Sequence, residues 1–526
     1  MTDSIRFDWL RIQYSPALES IAEQIAHEAL ASKSYGARGG SSERRYDEVK
    51  HIAHWVISSL HFVTTTPSKK AWLSIPLTAR YFNKKDPSKI NLSHAYVKLV
   101  YDTLVAKRWI TIKTGQPTKH LTLIKPRGLL RTNLLKIGMV WMPQEPISKE
   151  SCLELKDVTY DAEGKAVRRR VKKKFKTKKI NLPIRQPDTP EIAQQRENLH
   201  KINSFLTKHC ITTDLNDEQL MQVLKQKDKD GNEESYILDP RAVQLTRIFS
   251  RGSMQLGGRF YRGWWQALPE QHRPHIRIDG YKTIEVDYSA MHVHILYGML
   301  NSRYEGSGCP YDIIGEAKTD QEWQQDPRRK LVKKIFNAFI NDVDGVFSVN
   351  KTQQKQLGMT QEELRERFIY KHPLIAEHFS TDIGLRGQHV DSNIAEQVML
   401  RLMDEGIVAL PIHDSFIVRA GYQSYLEATM RDVFYEITGS TANLSSGVVK
   451  NNDHFGLTEQ EVLEQQRANS AELELRLKTP SQDKLVDGKD HFDIVSGKDT
   501  FDLIFTEEES IMDKYLLSFL KAQQGS

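Results

Sequence analysis

The sequence has few cysteines and no long apolar run. Cys152, Cys210 and Cys309 lie far apart, and none belongs to a Cys-x-x-Cys or Cys/His zinc pattern. This scarcity argues against disulfides and a structural metal cluster, and it indicates a reducing compartment. The first twenty residues lack the basic and apolar segments of a secretion signal, and no apolar stretch approaches the length of a membrane span. We therefore expect a cytoplasmic protein without membrane contact.

The chain is long enough to fill more than one core. Its 526 residues are 39% hydrophobic and carry a formal charge of +6, and no internal repeat stands out. These values are typical of a folded protein of two to four domains, neither disordered nor fibrous. The succession of helix-period and strand-period segments predicts an α+β multidomain fold.

Charge is distributed unevenly along the chain. Residues 451–526 contain 16 Asp/Glu and 8 Lys/Arg, so residues 1–450 carry a net +14. A basic body indicates a polyanionic partner. The densest run, residues 168–179, has nine Lys or Arg in twelve positions and can bind phosphates without reading sequence, although a solvated loop remains an equal alternative. The side chains expected to contact nucleic acid in it are Arg168, Arg169, Arg170, Lys172, Lys173 and Lys174.

Residues 45–135 have the pattern of a winged helix. Helical spacing occurs over 45–62, a second helix is expected within 73–83, and a third follows Ser93, which is available as its N-cap. A hairpin over 108–126, with a turn at Gly115, would be the wing. Ser93 and Lys98, with His94, Lys107 and Lys119, are suited to DNA phosphates. A small α+β domain used for protein contacts is the alternative.

Residues 136–240 predict a basic connector, possibly thumb-like. Residues 153–171 are interpreted as a hairpin around Asp161–Gly164, residues 189–209 as a helix that starts at a proline, and residues 226–236 as a charged turn.

The run "IEVDYSAMHVHILYGML", 284–300, predicts a half-buried strand followed by a helix. Ile284 and Val286 alternate with Glu285 and Asp287, so both carboxylates point to the same side. A lone acid at a strand end is usually a helix cap or a surface residue. A second acid nearby would favour a functional site.

The run "IVALPIHDSFIV", 407–418, supplies that second acid. It has two β-prone segments joined at His413 and Asp414, as in a hairpin with an acid at its tip. If Asp287 and Asp414 converge, they can hold two Mg²⁺ ions, with Mn²⁺ as a possible substitute, and support phosphoryl transfer. A general acid and base pair for hydrolysis is the alternative.

The run "DPRRKLVKKIFNAFIN", 326–341, predicts a basic amphipathic helix. Arg329 and Lys333 are one turn apart, and the buried stripe consists of Val332, Ile335, Phe336 and Phe339. The two cations can belong to an ordinary solvated helix. Beside a two-metal site they would neutralise a triphosphate and the departing pyrophosphate.

These three segments, taken in their order along the chain, resemble the palm and fingers of family A DNA polymerases and of the single-subunit bacteriophage RNA polymerases. The resemblance covers roughly residues 245–440 and implies a right-hand polymerase palm. The aspartates are 127 residues apart, which implies reduced fingers. The resemblance also implies that Asp287 and Asp414 bind the metal ions together with the Tyr288 carbonyl. Arg329 and Lys333 would bind the triphosphate, and Lys333 would donate a proton to pyrophosphate. His292 would lie under the sugar, His413 at the primer end, and Arg259 of "GGRFYRGWW" on the primer-template.

The sequence departs from the family pattern at three places. The tyrosine and glycine expected eight residues after the helix lysine are replaced by Asn341 and Asp342, so the nucleotide-binding role there falls to Asn341. His292 stands where DNA enzymes have glutamate and RNA enzymes glycine, and its bulk favours deoxynucleotides. Ser415, after the second aspartate, is the residue of the RNA enzymes. The sugar preference is therefore split between the two positions.

We expect five regions: an N-terminal helical arm (1–44), the winged-helix-like domain (45–135), the basic connector (136–240), the palm and fingers (241–455) and an acidic tail with a terminal helix (456–526). The region before residue 240 has no Asp-x-Glu pair on a predicted strand, so no proofreading exonuclease is expected.

The predicted function is template-directed DNA synthesis. The expected partners are a DNA template and primer, RNA being possible, and nucleoside triphosphates as substrates. An RNA polymerase or primase is one alternative, and a non-catalytic replication initiator or regulator is another. The acidic tail is a possible protein-binding segment.

Overall fold

The structure, a computed structural model, describes the following parts of the chain: residues 4–6, 15–31, 42–66, 71–82, 92–113, 122–137, 141, 144, 146–158, 168–171, 176–179, 181–184, 188–223, 225–227, 233–235, 239–306, 308–314, 323, 326–341, 348–381, 383–446 and 511–524. Several predicted features lie outside these residues: Lys172, Lys173 and Lys174, Lys119 and Gly115, the turn at 161–164, Asp342, and the tail up to residue 510.

The described chain is a mixed α+β protein. Its helices are α1 (Pro16–Ala31), α2 (Ser42–Thr65), α3 (His94–Ala106), α4 (Gly128–Ile137), α5 (Pro190–Leu206), α6 (Asp217–Val223), α7 (Met291–Met299), α8 (Arg329–Asn341), α9 (Lys351–Leu357), α10 (Gln361–Lys371), α11 (Ile383–Asp404), α12 (Gln423–Thr438) and α13 (Ile511–Gln524).

The strands are β1 (Ser4–Arg6), β2 (Trp72–Ile75), β3 (Ile110–Lys113), β4 (Thr122–Pro126), β5 (Leu153–Val158), β6 (Arg168–Val171), β7 (Lys176–Lys179), β8 (Asn181–Ile184), β9 (Ile211–Thr213), β10 (Lys225–Lys227), β11 (Glu233–Ser235), β12 (Thr246–Ser250), β13 (Ser253–Tyr261), β14 (Ile276–Ile278), β15 (Tyr281–Ser289), β16 (Leu410–Ile412), β17 (Ser415–Arg419) and β18 (Asn443–Ser446).

Three larger sheets organise these strands. The N-terminal sheet has the order β1-β2-β4-β3, a second sheet has the order β13-β12-β5-β8, and the central sheet has the order β16-β17-β15-β14-β9, with β18 paired to β15. Strands β6 and β7 form a separate pair, as do β10 and β11. The buried apolar side chains gather in three clusters, which is compatible with more than one domain.

The first cluster, here called the N-terminal core, lies between helices α1 to α4 and the N-terminal sheet. The helices predicted over 45–62 and after Ser93 are present as α2 and α3, and the predicted hairpin is the antiparallel pair β3 and β4. Ser93 occupies the N-cap position of α3 without a side-chain cap bond. The helix predicted within 73–83 is wrong: the segment forms the end of β2 and a short 3₁₀ turn, Ala79–Tyr81. Pro76 lies between the two, where it prevents a continuous helix.

The hairpin predicted over 153–171 is also wrong. Strand β5 pairs in parallel with β12 and antiparallel with β8, whereas β6 pairs with β7. The parallel partner β12 is about ninety residues away in sequence and the antiparallel partner β8 about thirty, which a local turn pattern cannot indicate. Helix α5 does start at Pro190, with the Thr189 hydroxyl accepting a hydrogen bond from the Ile192 amide. This is the expected N-cap arrangement with proline in the first turn.

The second cluster, the central core, fills the space between the central sheet, the β12–β13 sheet and helices α5, α11 and α12. The third, the helical core, is formed by α7, α8, α9 and α10 together with residues 311–314. Helix α8 buries the predicted stripe of Val332, Ile335, Phe336 and Phe339 in this third core. Arg329 and Lys333 on its other face are only half-buried.

The C-terminal helix α13 joins two of these cores. Tyr515 and Phe519 are buried in the N-terminal core, whereas Met512 belongs to the central core. The Phe519 ring meets the edge of the Trp141 ring at a centroid distance of 4.7 Å, and the Trp141 amide donates to the Ser518 hydroxyl. The helix thereby fixes the N-terminal sheet relative to the central sheet.

Within the described residues, no helix combines the length and the apolar character that crossing a bilayer requires.

Candidate active site

Two aspartates meet at one end of the central sheet. Strands β15 and β17 are antiparallel, with Asp287 opposite Ser415, and the Tyr288 amide donates to the Asp414 main-chain oxygen at 3.0 Å. Ile284 and Val286 are fully buried on the other face of β15. The predicted strand, the predicted hairpin and the shared face of Glu285 and Asp287 are therefore confirmed, and the strand pairing makes Asp414 a neighbour of Asp287.

The Asp287 carboxylate has an unsatisfied oxygen. Its Oδ1 is buried and accepts no hydrogen bond from the described residues. Burial, reinforced by the charge of Asp414, raises the pKa of Asp287 to about 8, and Lys333 opposes this rise. A buried carboxylate beside another carboxylate is costly unless a cation compensates it. Lys333 supplies part of that compensation, and a bound cation could supply the rest.

The donor set suits magnesium in particular. Mg²⁺ is commonly held by one or two carboxylates, with water and substrate phosphate oxygens completing its shell. Among the described residues, no group of three or more His, Cys, Asp or Glu side chains is placed to hold a metal ion by itself. A pair of half-buried carboxylates such as Asp287 and Asp414 could therefore bind Mg²⁺ only with water or substrate oxygens completing the shell.

The backbone is strained next to both aspartates. His413, immediately before Asp414, has φ +57°, and Ala290, three residues after Asp287, has φ +54°. Left-handed conformations at residues other than glycine and asparagine cost free energy, and they often occur at functional sites. The His413 ring is exposed and meets Tyr261 edge-on at a centroid distance of 5.9 Å. The left-handed His413 forms, with Asp414, the turn between β16 and β17.

Helix α8 brings cations to these aspartates. Lys333 is close enough to Asp287 to oppose the rise in its pKa, and its Nζ lies 5.8 Å from the ring centroid of Tyr311. The Arg329 charge acts on Tyr311 as well, and the Arg329 Nε is buried without a hydrogen-bond partner in the described chain. Both predicted cations therefore face the site.

Tyr311 is a site residue that the sequence did not single out. Its side chain is fully buried, its ring packs edge-on against Phe336, and its hydroxyl has no hydrogen-bond partner among the described residues. Burial raises its pKa well above the ordinary value, and the charges of Asp414 and Asp287 add to this effect. The Tyr311 hydroxyl is thus near both the carboxylates and the cations of α8.

A buried network on the opposite side holds Arg259 and His292. The Arg259 Nε donates to Asp391 at 2.7 Å, and its Nη2 donates to the His292 Nε2 at 2.8 Å. A guanidinium has only donors, so His292 accepts at Nε2 and carries its proton on Nδ1. Burial, together with the Arg259 charge, lowers the pKa of His292 to about 3. Burial and Arg259 therefore favour the neutral His292 ring, whose Nδ1–H remains as a donor.

Asp391 of α11 is the anchor of this network and was also missed. It is 1% exposed, and burial raises its pKa to about 6 although Arg259 pulls the other way. One signal was present in the sequence: Asp391 lies on the same helical stripe as Ile394, Val398 and Leu402, where an apolar residue is expected. A charged residue at such a position needs a buried partner.

A second buried arginine fixes the strand that carries Arg259. Arg247 is 0% exposed; it donates to the Gly258 carbonyl and to Ser392, and it pairs with Glu396 at 3.2 Å. Gly258 has φ +86°, and a Cβ there would come within 2.6 Å of the Phe249 ring. The glycine of "GGRF" is thus required for β13 to pass this close to β12 and α11.

Glu285 is satisfied within the sheet. It accepts from Arg273 at 2.7 Å and from the Ser415 hydroxyl at 2.5 Å, and burial raises its pKa. A hydrogen bond to the Glu285 carboxylate of β15 therefore holds the side chain of Ser415 on β17. Of the two acids on this face, Asp287 alone keeps a buried oxygen without a hydrogen-bond partner in the described chain.

Other predicted residues lie away from this cluster or play a different part. The Tyr288 hydroxyl donates to the Met430 carbonyl inside the core, which leaves only its main chain for the predicted role. The Asn341 amide donates to the Asn337 carbonyl and packs against Gly384. Ser93 and Lys98 lie in the N-terminal part, where Lys98 pairs with Asp102 at 2.5 Å. Arg168, Arg169 and Arg170 lie on β6, and their side chains are outside the described part of the structure.

No protein-family model matches the chain, and no curated protein matches its sequence.

We expect Asp287→Asn to stabilise the metal-free protein at alkaline pH. The folded carboxyl, with its pKa raised to about 8, retains a proton that the unfolded chain releases near its ordinary value of 3.8. The contribution of Asp287 to the free energy of unfolding is thus complete below about pH 4 and is lost as the pH rises to 8. Thermal unfolding in EDTA at about pH 5.5 and 8.5 should show a gain for the variant that grows with pH, reaching at least about 2 °C.

Glu285→Gln is the matched control. This substitution removes a neighbouring acid that has an arginine partner, so it should lower the unfolding temperature at both pH values. A wild-type protein as stable as Asp287→Asn at pH 8.5 would contradict the conclusion that the Asp287 charge is uncompensated.

Proposed function

We propose that the chain is a compact, template-directed nucleotidyltransferase similar to family A DNA polymerases. The observation that supports it most is the pairing of β15 with β17, which makes Asp287 and Asp414 neighbours within reach of Lys333. In this proposal the central sheet is the palm, and α8 with its neighbours forms reduced fingers. The pairing of β2 with the β3–β4 hairpin, beside α2 and α3, supports a winged helix at the N-terminal side.

Asp287 and Asp414 would hold two Mg²⁺ ions, or Mn²⁺, with help from the Tyr288 carbonyl. The ions supply the positive charge that activates the primer hydroxyl and stabilises the leaving oxygen. The unsatisfied Asp287 oxygen and the raised pKa of this residue support a cation there. Both carboxylates would bind the ions. The hydrogen bonds between β15 and β17 keep the two aspartates next to each other.

The cations of α8 would bind the incoming triphosphate. Arg329 and Lys333 are one turn apart on a helix whose other face is anchored in the helical core, so their charges are held in place. Lys333 is also the proton donor to the departing pyrophosphate, because an ammonium beside a developing oxyanion can both neutralise and protonate it. The Tyr311 hydroxyl donates a hydrogen bond to a phosphate oxygen, which gives it the partner it otherwise lacks.

The Arg259 network would position the sugar and the primer. His292, neutral and protonated at Nδ1, lies against the sugar of the nucleotide, and Arg259 contacts the primer-template backbone. His413, exposed at the hairpin tip, steadies the primer end. Asp391 keeps Arg259 and His292 oriented, because a buried carboxylate accepts two bonds from the guanidinium.

One feature favours RNA synthesis as the second candidate. Ser415 follows Asp414, as it does in the related RNA enzymes, and here it is bound to Glu285 of the adjacent strand. The Glu285 carboxylate therefore lies beside the position where the DNA enzymes carry a glutamate. The serine itself nevertheless matches the RNA enzymes, and extension with NTPs tests this second candidate.

We expect Asp287→Ala and Asp414→Ala each to abolish nucleotide incorporation. Loss of a metal ligand removes several kcal/mol of transition-state stabilisation, or about a thousandfold in rate. Binding of a primed template should change by less than about threefold. Primer extension and oligonucleotide binding are measured side by side, with Asp404→Asn, an exposed acid of α11, as the control. Full activity in either alanine variant would remove the metal assignment.

We expect the wild-type protein to extend a primed DNA template with dNTPs and Mg²⁺. Separate reactions with NTPs, and with an unprimed template, distinguish the candidates, because a primase or RNA polymerase uses NTPs and needs no primer. Product from NTPs alone would establish the RNA alternative. Binding of DNA without any incorporation in Mg²⁺ or Mn²⁺ would instead establish a non-catalytic DNA-binding protein.

Tyr311→Phe should weaken nucleotide binding without destabilising the fold. The substitution keeps the ring packing and removes a buried hydroxyl that has no partner in the described chain, which is neutral or favourable for stability. A lost hydrogen bond to a charged phosphate corresponds to roughly a tenfold rise in the dissociation constant. Tyr297→Phe is the control, since its hydroxyl contacts His372 within the core. Equal nucleotide affinity in Tyr311→Phe and wild type would exclude the phosphate contact.

A further inference from the structure

The outer face of the N-terminal sheet carries a tryptophan between two lysines. Leu73 of β2 is opposite Ile124 of β4, and both are fully buried in the N-terminal core. The residues that precede and follow them, Trp72 and Lys125, therefore point to the opposite face of the sheet. Lys113, at the end of β3, lies on this outer face as well, because it is exposed while Ile112 is opposite Ile124.

The two lysines approach the indole ring closely. The Lys113 Nζ lies 4.4 Å from the Trp72 ring centroid, and the Lys125 Nζ lies 6.0 Å from it. The ring is only half-buried and Lys113 is exposed. A cation over an aromatic face is favourable by itself. Two cations around one accessible ring also form a surface that combines a stacking plane with positive charge.

The cations on this face crowd one another. Burial lowers the pKa of Lys125, and the charges of Arg131 and Lys113 lower it further. Arg131 is exposed on helix α4, next in sequence to the sheet. Like charges gathered on one surface reduce stability through repulsion. A polyanion bound to this face would relieve that repulsion.

The sequence around these strands has a large excess of basic residues. Residues 66–144 contain 15 Lys or Arg and two Asp or Glu, a net charge of +13, although the whole chain carries only +6. From residue 103 to residue 144 there is no acidic residue at all. Residues 66–144 are therefore a strongly basic part of the sequence.

Helix α3, which the sequence predicted to contact DNA, has its cations engaged within the protein. Lys98 pairs with Asp102 at 2.5 Å, and Lys107, just after the helix, pairs with Glu28 at 2.5 Å. The His94 ring is bound to the Leu77 carbonyl. These cations of helix α3 are therefore paired within the protein.

We propose that the outer face of the N-terminal sheet, centred on Trp72, Lys113 and Lys125, is a binding site for single-stranded nucleic acid. A base stacks on the indole, and the lysines contact the flanking phosphates. The four-carbon stem of Lys113 lets its ammonium move from the ring to a phosphate when the base arrives. Stacking requires a base that is free of its partner, so a single strand is bound in preference to a duplex. The site does not depend on the nucleotidyltransferase proposal.

The test measures binding of the full-length protein to a fluorescein-labelled oligo(dT) of about twenty nucleotides and to a duplex of equal length. We expect Trp72→Leu to weaken single-strand binding about tenfold, the loss of one stacked base, while Trp72→Phe retains most of the affinity. Lys113→Gln combined with Lys125→Gln should lower the slope of log affinity against log salt by about 1.4, two phosphate contacts. Lys98→Gln on helix α3 is the matched charge control and should change little.

A photocrosslink separates this site from other basic surfaces. An oligonucleotide substituted with 5-iodouracil should crosslink to the tryptic peptide 71–80, which contains Trp72, and Trp72→Leu should lose that crosslink even if other surfaces still bind. The proposal is overturned if crosslinks map only elsewhere, if Trp72→Leu binds like wild type, if Trp72→Phe is as weak as Trp72→Leu at equal thermal stability, or if Lys98→Gln causes the larger loss. An equal loss of duplex and single-strand affinity in Trp72→Leu would also overturn it.

Discussion

The candidate site depends on the register of one pair of strands, β15 and β17. Side chains alternate between the two faces of a strand, so a slip of one residue would turn Asp287 into the core and expose Val286. Ile284 and Val286 are fully buried, which makes that slip costly. The bond from Ser415 to Glu285 fixes the same register from the other face. The hydrophobic effect that holds the sheet together thereby determines which carboxylates are neighbours.

A second set of constraints comes from charges buried between the sheet and helix α11. Arg247 with Glu396, and Arg259 with Asp391, join strands β12 and β13 to successive turns of this helix. Buried ion pairs add little net stability, because removing both charges from water costs about as much as their attraction returns. Their effect here is on orientation, because each guanidinium fits only one arrangement of strand and helix. Arg259 in turn orients the His292 ring through a hydrogen bond to its Nε2.

The parts of the structure that follow a local period could be predicted from the sequence. The alternation of 284–287, the two-residue hairpin at His413 and the stripe of helix α8 each reflect neighbours within a few residues. The partners of β5 could not be predicted, since β12 lies about ninety residues away and β8 about thirty. Tyr311 was missed because a buried tyrosine usually belongs to the core, and only the three-dimensional packing places its hydroxyl beside four charged side chains.

The C-terminal helix has a consequence for how the chain reaches this structure. Tyr515 and Phe519 complete a core whose other members lie mainly before residue 142. Domains usually fold in order as the ribosome releases them. Here the first core must wait, with part of its apolar surface uncovered, until nearly four hundred further residues have been synthesised. The last helix to be synthesised is therefore the one that completes the first core.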